Sequence, residues 1–170
     1  QKWKFVAVNG TQTVKDGYYN ICSASNSNFG LDVDRKSKEN NANVQLNSMN
    51  GGNNQKWAVK YLGNGYYSIA AAHSRKALDM EKGGIDNGTN IQQYTNSAES
   101  NDAQQWIIKD AGNGTYYIIN RKGLFVDIAN GTMANGTNIR GFVGNRSVAQ
   151  KWIFSAVDVD TEPPVISDVK

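Results

Sequence analysis

The chain has 170 residues and a mass of 18.6 kDa, room for one domain with a short appendage and nothing larger. Its 39% hydrophobic content plus 17 glycines excludes a mainly disordered chain, and a net charge of +3 lacks the basic excess of a dedicated nucleic-acid binder. No stretch approaches the roughly 20 apolar residues that span a bilayer, and one cysteine (Cys22) with one histidine (His73) excludes an internal disulfide and a Cys/His zinc site, so no metal or cofactor is expected.

Asparagine is the anomaly, at 22 residues against two prolines. Seven Asn-Gly pairs (9–10, 50–51, 64–65, 87–88, 113–114, 130–131, 135–136) are strong hairpin-turn signals. In chain order, Gln1-Lys2-Trp3-Lys4-Phe5 comes first, followed by Gly17-Tyr18-Tyr19-Asn20-Ile21, Leu31-Asp32-Val33, Asn43-Val44-Gln45 and Gln55-Lys56-Trp57. The last four recur as Gly65-Tyr66-Tyr67-Ser68-Ile69, Leu78-Asp79-Met80, Asn90-Ile91-Gln92 and Gln104-Gln105-Trp106. They recur again as Thr115-Tyr116-Tyr117-Ile118-Ile119, Val126-Asp127-Ile128, Asn138-Ile139-Arg140 and Gln150-Lys151-Trp152. Each segment is short, apolar or aromatic at alternate positions, and bounded by Asn, Gly or Ser, which predicts strands; no helical period is sustained.

Three copies of about four strands (about 16–62, 63–111 and 112–157) predict an all-β chain. A propeller needs roughly four to eight blades, whereas a six-strand barrel capped by three hairpins uses three units and leaves no open edge. The expected architecture is a β-trefoil with pseudo-threefold symmetry. Its core is expected around Trp57, Trp106 and Trp152, with Ile21, Ile69 and Ile119, and Leu31, Leu78 and Val126. Gln1-Lys2-Trp3 is a fourth Gln-x-Trp, so either residues 1–8 or residues 150–157 are surplus to a closed ring. Residues 1–15 are expected to be a leader carrying the tail of an upstream repeat; the alternative is that this strand closes the ring. Asp158-Val159-Asp160-Thr161-Glu162-Pro163-Pro164 reads as an acidic linker. Val165-Ile166-Ser167-Asp168-Val169 then reads as the first strand of an Ig-like or fibronectin-like module, so 158–170 is expected to lead into a flanking module.

The three in-register Gln-x-Trp and Asp motifs resemble the ricin B-chain-type lectins, also called family-13 carbohydrate-binding modules, over about 140 of the 170 residues. The resemblance implies non-catalytic carbohydrate binding. A sugar site needs a carboxylate for neighbouring hydroxyls, a flat ring for the C–H face and an amide to complete the polar set. In the family these come from the Asp strand, an aromatic two residues after the Gln-bearing position, and Asn-Gln before the Trp. Carried over, the middle unit offers Asp79, Gln92, Tyr94 and Gln104, with Ala103 where the family has Asn and Asn101 or Asp102 as substitutes. The third offers Asp127, Phe142 and Gln150, with Arg140 and Ala149 departing from the pattern. The first has Asp32, Gln45, Asn54 and Gln55, but Asn47 stands where the ring belongs and only Phe29 or a tyrosine is near to replace it. The middle unit ranks first, the third second and the first last. The Gln of each Gln-x-Trp is expected to hold the Asp in place.

Catalysis is not expected. Asp32/Asp34 and Asp79/Glu81 have the short spacing of a glycosidase pair, but Ala129 breaks the pattern in the third unit. Cys22 fits a small buried residue, and His73 fits a surface turn. The Asp32-x-Asp34…Glu39 run lacks the sixth-position glycine of a calcium loop. Six Asn-x-Thr/Ser triplets match a glycosylation acceptor, and turn chemistry explains the five Asn-Gly-Thr among them. The expected function is that of a multivalent module tethering a larger secreted or surface protein, of bacterial type, to glycans. Galactosides are the first choice and xylan-type plant polysaccharide the second, with no nucleic-acid or membrane partner. The alternative is a protein-interaction or spacer trefoil with degenerate pockets.

Overall fold

The computed structural model describes residues 12–159, in which twelve β-strands and short 3-10 turns make up the regular structure. The first unit holds β1 (Gly17–Ser23), β2 (Phe29–Val33), β3 (Val44–Ser48) and β4 (Lys56–Gly63). The second holds β5 (Tyr66–Ala71), β6 (Ala77–Met80), β7 (Thr89–Tyr94) and β8 (Trp106–Gly112). The third holds β9 (Thr115–Asn120), β10 (Phe125–Ile128), β11 (Thr137–Phe142) and β12 (Trp152–Ala156). The chain is all-β and folds as a β-trefoil.

The barrel is the closed antiparallel ring β1–β4–β5–β8–β9–β12–β1, so it leaves no barrel edge unpaired. β12 closes it against β1, from Tyr19↔Ala156 to Ser23↔Trp152. The Gln1-Lys2-Trp3 segment and residues 160–170, where a further module was expected, lie outside the described residues. Thr13 and Val14, on the stretch assigned to a leader, pack onto the barrel. The Thr13 hydroxyl donates to the Ile108 carbonyl at 2.6 Å, and the backbone N–H of each residue donates to the Tyr67 hydroxyl. Val14 belongs to the core cluster.

Turn chemistry places the strands. The β4–β5 and β8–β9 hairpins turn at Asn64-Gly65 and Asn113-Gly114, whose φ values of 56° and 88°, and 55° and 77°, are the left-handed pair that a two-residue hairpin requires. These turns also set the register. Tyr19, Tyr67 and Tyr116 sit opposite Trp57, Trp106 and Trp152, so Ile21, Ile69 and Ile118 are equivalent. The alignment read from sequence is therefore one residue out in β9. Ile118 enters the central core, while Ile119 faces outward into a satellite cluster with Tyr66 and Ile107, backed by Tyr117 and Phe125. A one-residue slip exchanges the two faces of a strand, and here both faces are apolar.

The three Gln-x-Trp tryptophans are fully buried at the centre with Ile21, Ile69, Leu31, Leu78 and Val126. Truncating a buried Trp costs about 3–5 kcal/mol. Each indole N–H also donates to a backbone carbonyl: Trp57 to Leu31 at 3.2 Å, Trp106 to Leu78 and Trp152 to Val126 at 3.1 Å. Each of those carbonyls belongs to the residue just before the repeated Asp, so the core tryptophan fixes the backbone that presents it.

The capping hairpins β2–β3, β6–β7 and β10–β11 meet around the pseudo-threefold axis through Asn43↔Gln92, Asn90↔Arg140 and Asn138↔Gln45. The three asparagines close a directional ring there. Asn43 Nδ2 donates to Asn138 Oδ1 at 2.8 Å, Asn138 Nδ2 to Asn90 Oδ1 at 2.9 Å, and Asn90 Nδ2 to Asn43 Oδ1 at 2.8 Å.

Candidate carbohydrate-binding site

Each unit presents the same frame. The Asp lies directly across its hairpin from a polar partner: Asp32 from Gln45, Asp79 from Gln92 and Asp127 from Arg140. Two residues toward the hairpin's far end, on the same face, stand Gly30 and Asn47, Ala77 and Tyr94, and Phe125 and Phe142. All three carboxylates are buried.

The Gln of Gln-x-Trp approaches from the turn behind. Gln55 Nε2 donates to Asp32 at 2.9 Å, Gln104 Nε2 to Asp79 at 2.9 Å and Gln150 Nε2 to Asp127 at 3.1 Å. The same nitrogens donate to the carbonyls of Ser48, Thr95 and Val143. Their Oε1 atoms accept the backbone N–H of Asn50, Ser97 and Asn145. With both N–H groups donated and no exposure, these glutamines hold the carboxylates and have no donor left for a ligand.

The sites differ in how much of each carboxylate remains. An ionised carboxylate has about four lone-pair positions. Asp79 uses two, accepting from Gln92 at 3.1 Å on Oδ1 and from Gln104 on Oδ2. Asp32 uses three, accepting from Gln45 on Oδ1 and from Gln55 and Asn54 on Oδ2. Asp127 also uses two, accepting from Gln150 on Oδ1 and from Arg140 on Oδ2 at 2.8 Å, but its second partner is a charged guanidinium rather than a neutral amide.

The aromatic positions separate the units further. Tyr94 is 39% exposed above the small side chain of Ala77, its ring open to solvent. Phe142 is half-buried and covered by Arg140, whose guanidinium carbon lies 4.3 Å from the ring centroid. In the first unit Asn47 gives no ring, and Phe29 packs against the core instead of replacing it.

Asp79 and Tyr94 open onto a groove of about 730 Å3 that Gln92, Asn41, Lys82 and Lys122 also line. Asn101 and Asp102 reach its rim as the sequence suggested, but both are engaged. Asn101 caps the turn through Ala103 N–H and donates to Ser97, and Asp102 lies 3.7 Å from Arg121. The amide that sequence reasoning missed is Asn41, contributed by the first unit, whose Nδ2 donates to Gln92 Oε1 at 3.1 Å. The equivalent turns in the other units carry Gly88 and Gly136, also at positive φ, so only the middle groove receives this side chain. The signal was there: Asn40-Asn41 stands where Asn87-Gly88 and Asn135-Gly136 do.

Burial pushes the Asp79 carboxyl above the usual carboxylate range; the bonds from Gln104 and Gln92 pull it back, and Glu81 adds a further upward push. Asp32 is raised by burial in the same way, against the pull of Gln55, Gln45 and Asn54. His73 is half-buried rather than at the surface. Its Nε2 bonds the Ser37 carbonyl at 2.7 Å rather than a thiol, and burial lowers its pKa. Cys22 is buried in β1, and burial raises its thiol pKa, the opposite of activation.

The ricin-type β-trefoil lectin domain-like family model matches residues 1–94 and 95–142. A designed threefold-symmetric protein, ThreeFoil, is 36% identical, covers 84% of this chain and 100% of its own, and superposes with a TM-score of 0.80. An exo-β-1,3-galactanase from Clostridium thermocellum is 26% identical over 84% of this chain, with a TM-score of 0.78; the match spans 31% of the galactanase. A Polyporus squamosus lectin, solved with the glycan Neu5Acα2-6Galβ1-4GlcNAc, is 25% identical over 85% of this chain and 50% of its own, with a TM-score of 0.72. No curated protein sequence matches the chain. Three repeats on one frame, each with a buried Asp held by the Gln of a Gln-x-Trp, agree with the family model, and the chain belongs to the ricin-type β-trefoil lectin domain-like family.

Proposed function

We propose that the chain is a non-catalytic lectin module whose principal glycan site is the groove of the middle unit. One observation carries this: Asp79 keeps two lone-pair positions open beside the exposed ring of Tyr94. Two adjacent sugar hydroxyls donate to the carboxylate, the C–H face rests on Tyr94, and the amides of Gln92 and Asn41 complete the polar contacts. Galactosides are the first choice of ligand, consistent with the galactose-containing glycan held by the Polyporus lectin and with the galactanase relative. Xylan-type polysaccharide is the second. The module's role is to tether a larger secreted or surface protein to such glycans.

Titration of lactose and of xylo-oligosaccharides into the wild type and Tyr94→Ala tests this reading. The wild type binds one of them, and Tyr94→Ala weakens that binding about tenfold or more, about 1.4 kcal/mol. Phe142→Ala leaves it unchanged. Absence of glycan binding in the wild type, or equal binding in Tyr94→Ala, overturns the assignment.

A further inference from the structure

Arg140 stands at the register position that Gln45 and Gln92 hold in the other units, across the hairpin from the repeated Asp. Like those glutamines it donates one N–H to the carboxylate, but it adds a positive charge and a flat group that covers the neighbouring ring. Its Nε bonds Asp127 at 2.8 Å, and its guanidinium lies 4.3 Å over the Phe142 ring, occupying the face a sugar would use. The third pocket therefore lacks the open ring face on which a neutral sugar would rest. What it presents is a guanidinium fixed on two sides, 23% exposed, whose four remaining N–H groups have no partner among the described residues. Such a planar fork matches a carboxylate or sulfate in two-point geometry.

The neighbouring surface has the same character. Phe125, paired with Phe142 on the same face, lines a groove of about 350 Å3 together with Tyr117, Val143, Lys109 and Arg146. No Asp or Glu lines this groove, and neither Lys109 nor Arg146 has an ion-pair partner among the described residues.

We propose that the third unit is an acidic-sugar site, in which Arg140 takes the carboxylate or sulfate of a charged sugar residue whose ring extends along Phe125 and Val143. The ligand class rests on the lectin reading above, but the site is separate from the middle groove. Arg140 is thus a specificity-determining residue that trades the open ring face of a neutral-sugar pocket for anion recognition.

The test uses Tyr94→Ala, which weakens the middle groove, with and without Arg140→Gln. Methyl galacturonide, galactose 6-sulfate, methyl galactoside and free sulfate are titrated into each by calorimetry. At least one of the first two is expected to bind Tyr94→Ala, and Arg140→Gln to weaken it tenfold or more. Which of the two binds identifies the anion. Arg140→Lys keeps the charge but loses the fork, and is expected to fall between. Arg140→Gln repeats the pair already present at Asp32–Gln45 and Asp79–Gln92, so it preserves the fold, and an unchanged thermal midpoint verifies that.

The proposal is overturned if neither acidic sugar binds Tyr94→Ala, if binding survives Arg140→Gln undiminished, or if free sulfate binds as tightly as the acidic sugars. Failure of the middle-groove reading shows separately, as absence of neutral-galactoside binding to the wild type.

Discussion

In the proposed site Asp79 must stay ionised to accept two hydroxyl hydrogen bonds, yet its burial favours the neutral acid, and the Gln104 and Gln92 bonds offset that only in part. Binding and folding then respond to acid in opposite directions. Glycan affinity falls as the pH drops through the raised pKa, at a pH above that of an ordinary aspartate. For folding, a pKa raised in the native state adds stability that is fully present below the unfolded-state value and is lost as pH rises through the folded value. The stability of the wild type relative to Asp79→Asn is therefore expected to decline as pH rises across this window, while wild-type glycan affinity climbs. Titration calorimetry and denaturant melts over the same pH series measure both. Parallel trends would contradict the assignment of Asp79 as the acceptor.

At the level of elements, each Asp strand ends in a tight 3-10 turn whose middle residue has left-handed backbone: Arg35 at φ 57°, Lys82 at 54° and Asn130 at 56°. Asparagine tolerates that conformation, whereas arginine and lysine incur a steric cost of roughly 1–2 kcal/mol. The Arg35 side chain is 89% exposed, and its 3.9 Å approach to Asp34 contributes little in water. Arg35→Gly removes the clash at some entropic cost and is expected to stabilise the protein by roughly 1 kcal/mol. Chemical denaturation checks this; an unchanged or lower midpoint contradicts it.

Much of this element plan was legible in the chain itself. The Gln-x-Trp and Asp motifs were visible because one repeat satisfies two demands. Its Gln reaches the carboxylate while its Trp reaches the carbonyl one residue earlier, and neither survives substitution easily. The register of β9 was not legible from Ile118-Ile119, because the satellite cluster of Tyr66, Ile107 and Phe125 makes the outer face as apolar as the inner. The hairpin turn at Asn113-Gly114 held that information. Asn41 escaped because repeats aligned as independent copies hide a side chain lent across a unit boundary. Arg140 was seen as a departure from pattern, but only the packed hairpin shows one guanidinium taking both the carboxylate and the ring.

Across the whole molecule, the Asn43–Asn90–Asn138 ring links all three hairpins, and each member sits in register with the polar residue facing a repeated Asp: Gln92, Arg140 and Gln45. Asn90→Ala removes one donor and one acceptor at once, leaving Asn138 Nδ2 and Asn43 Oδ1 without their partners. In this half-buried setting the expected cost is about 1–2 kcal/mol. Adding Asn43→Ala to that variant should cost less than its single effect predicts, since the ring is already open. A double-mutant denaturation cycle measures the shortfall, and strict additivity would show that the three amides act independently.

The ring β1–β4–β5–β8–β9–β12 also has no privileged starting strand. The Val157 N–H donates to the Tyr18 carbonyl at 2.9 Å, so the chain leaves the barrel beside the place where it entered. The order in which the ribosome makes the three units is then an accident of where the circle is cut. A circular permutant that connects residue 157 back to the stretch before β1 through an added linker and opens at Asn113-Gly114 keeps every strand pairing. A domain whose entrance and exit share one point can likewise be spliced into a surface loop of a host protein without prying that loop apart.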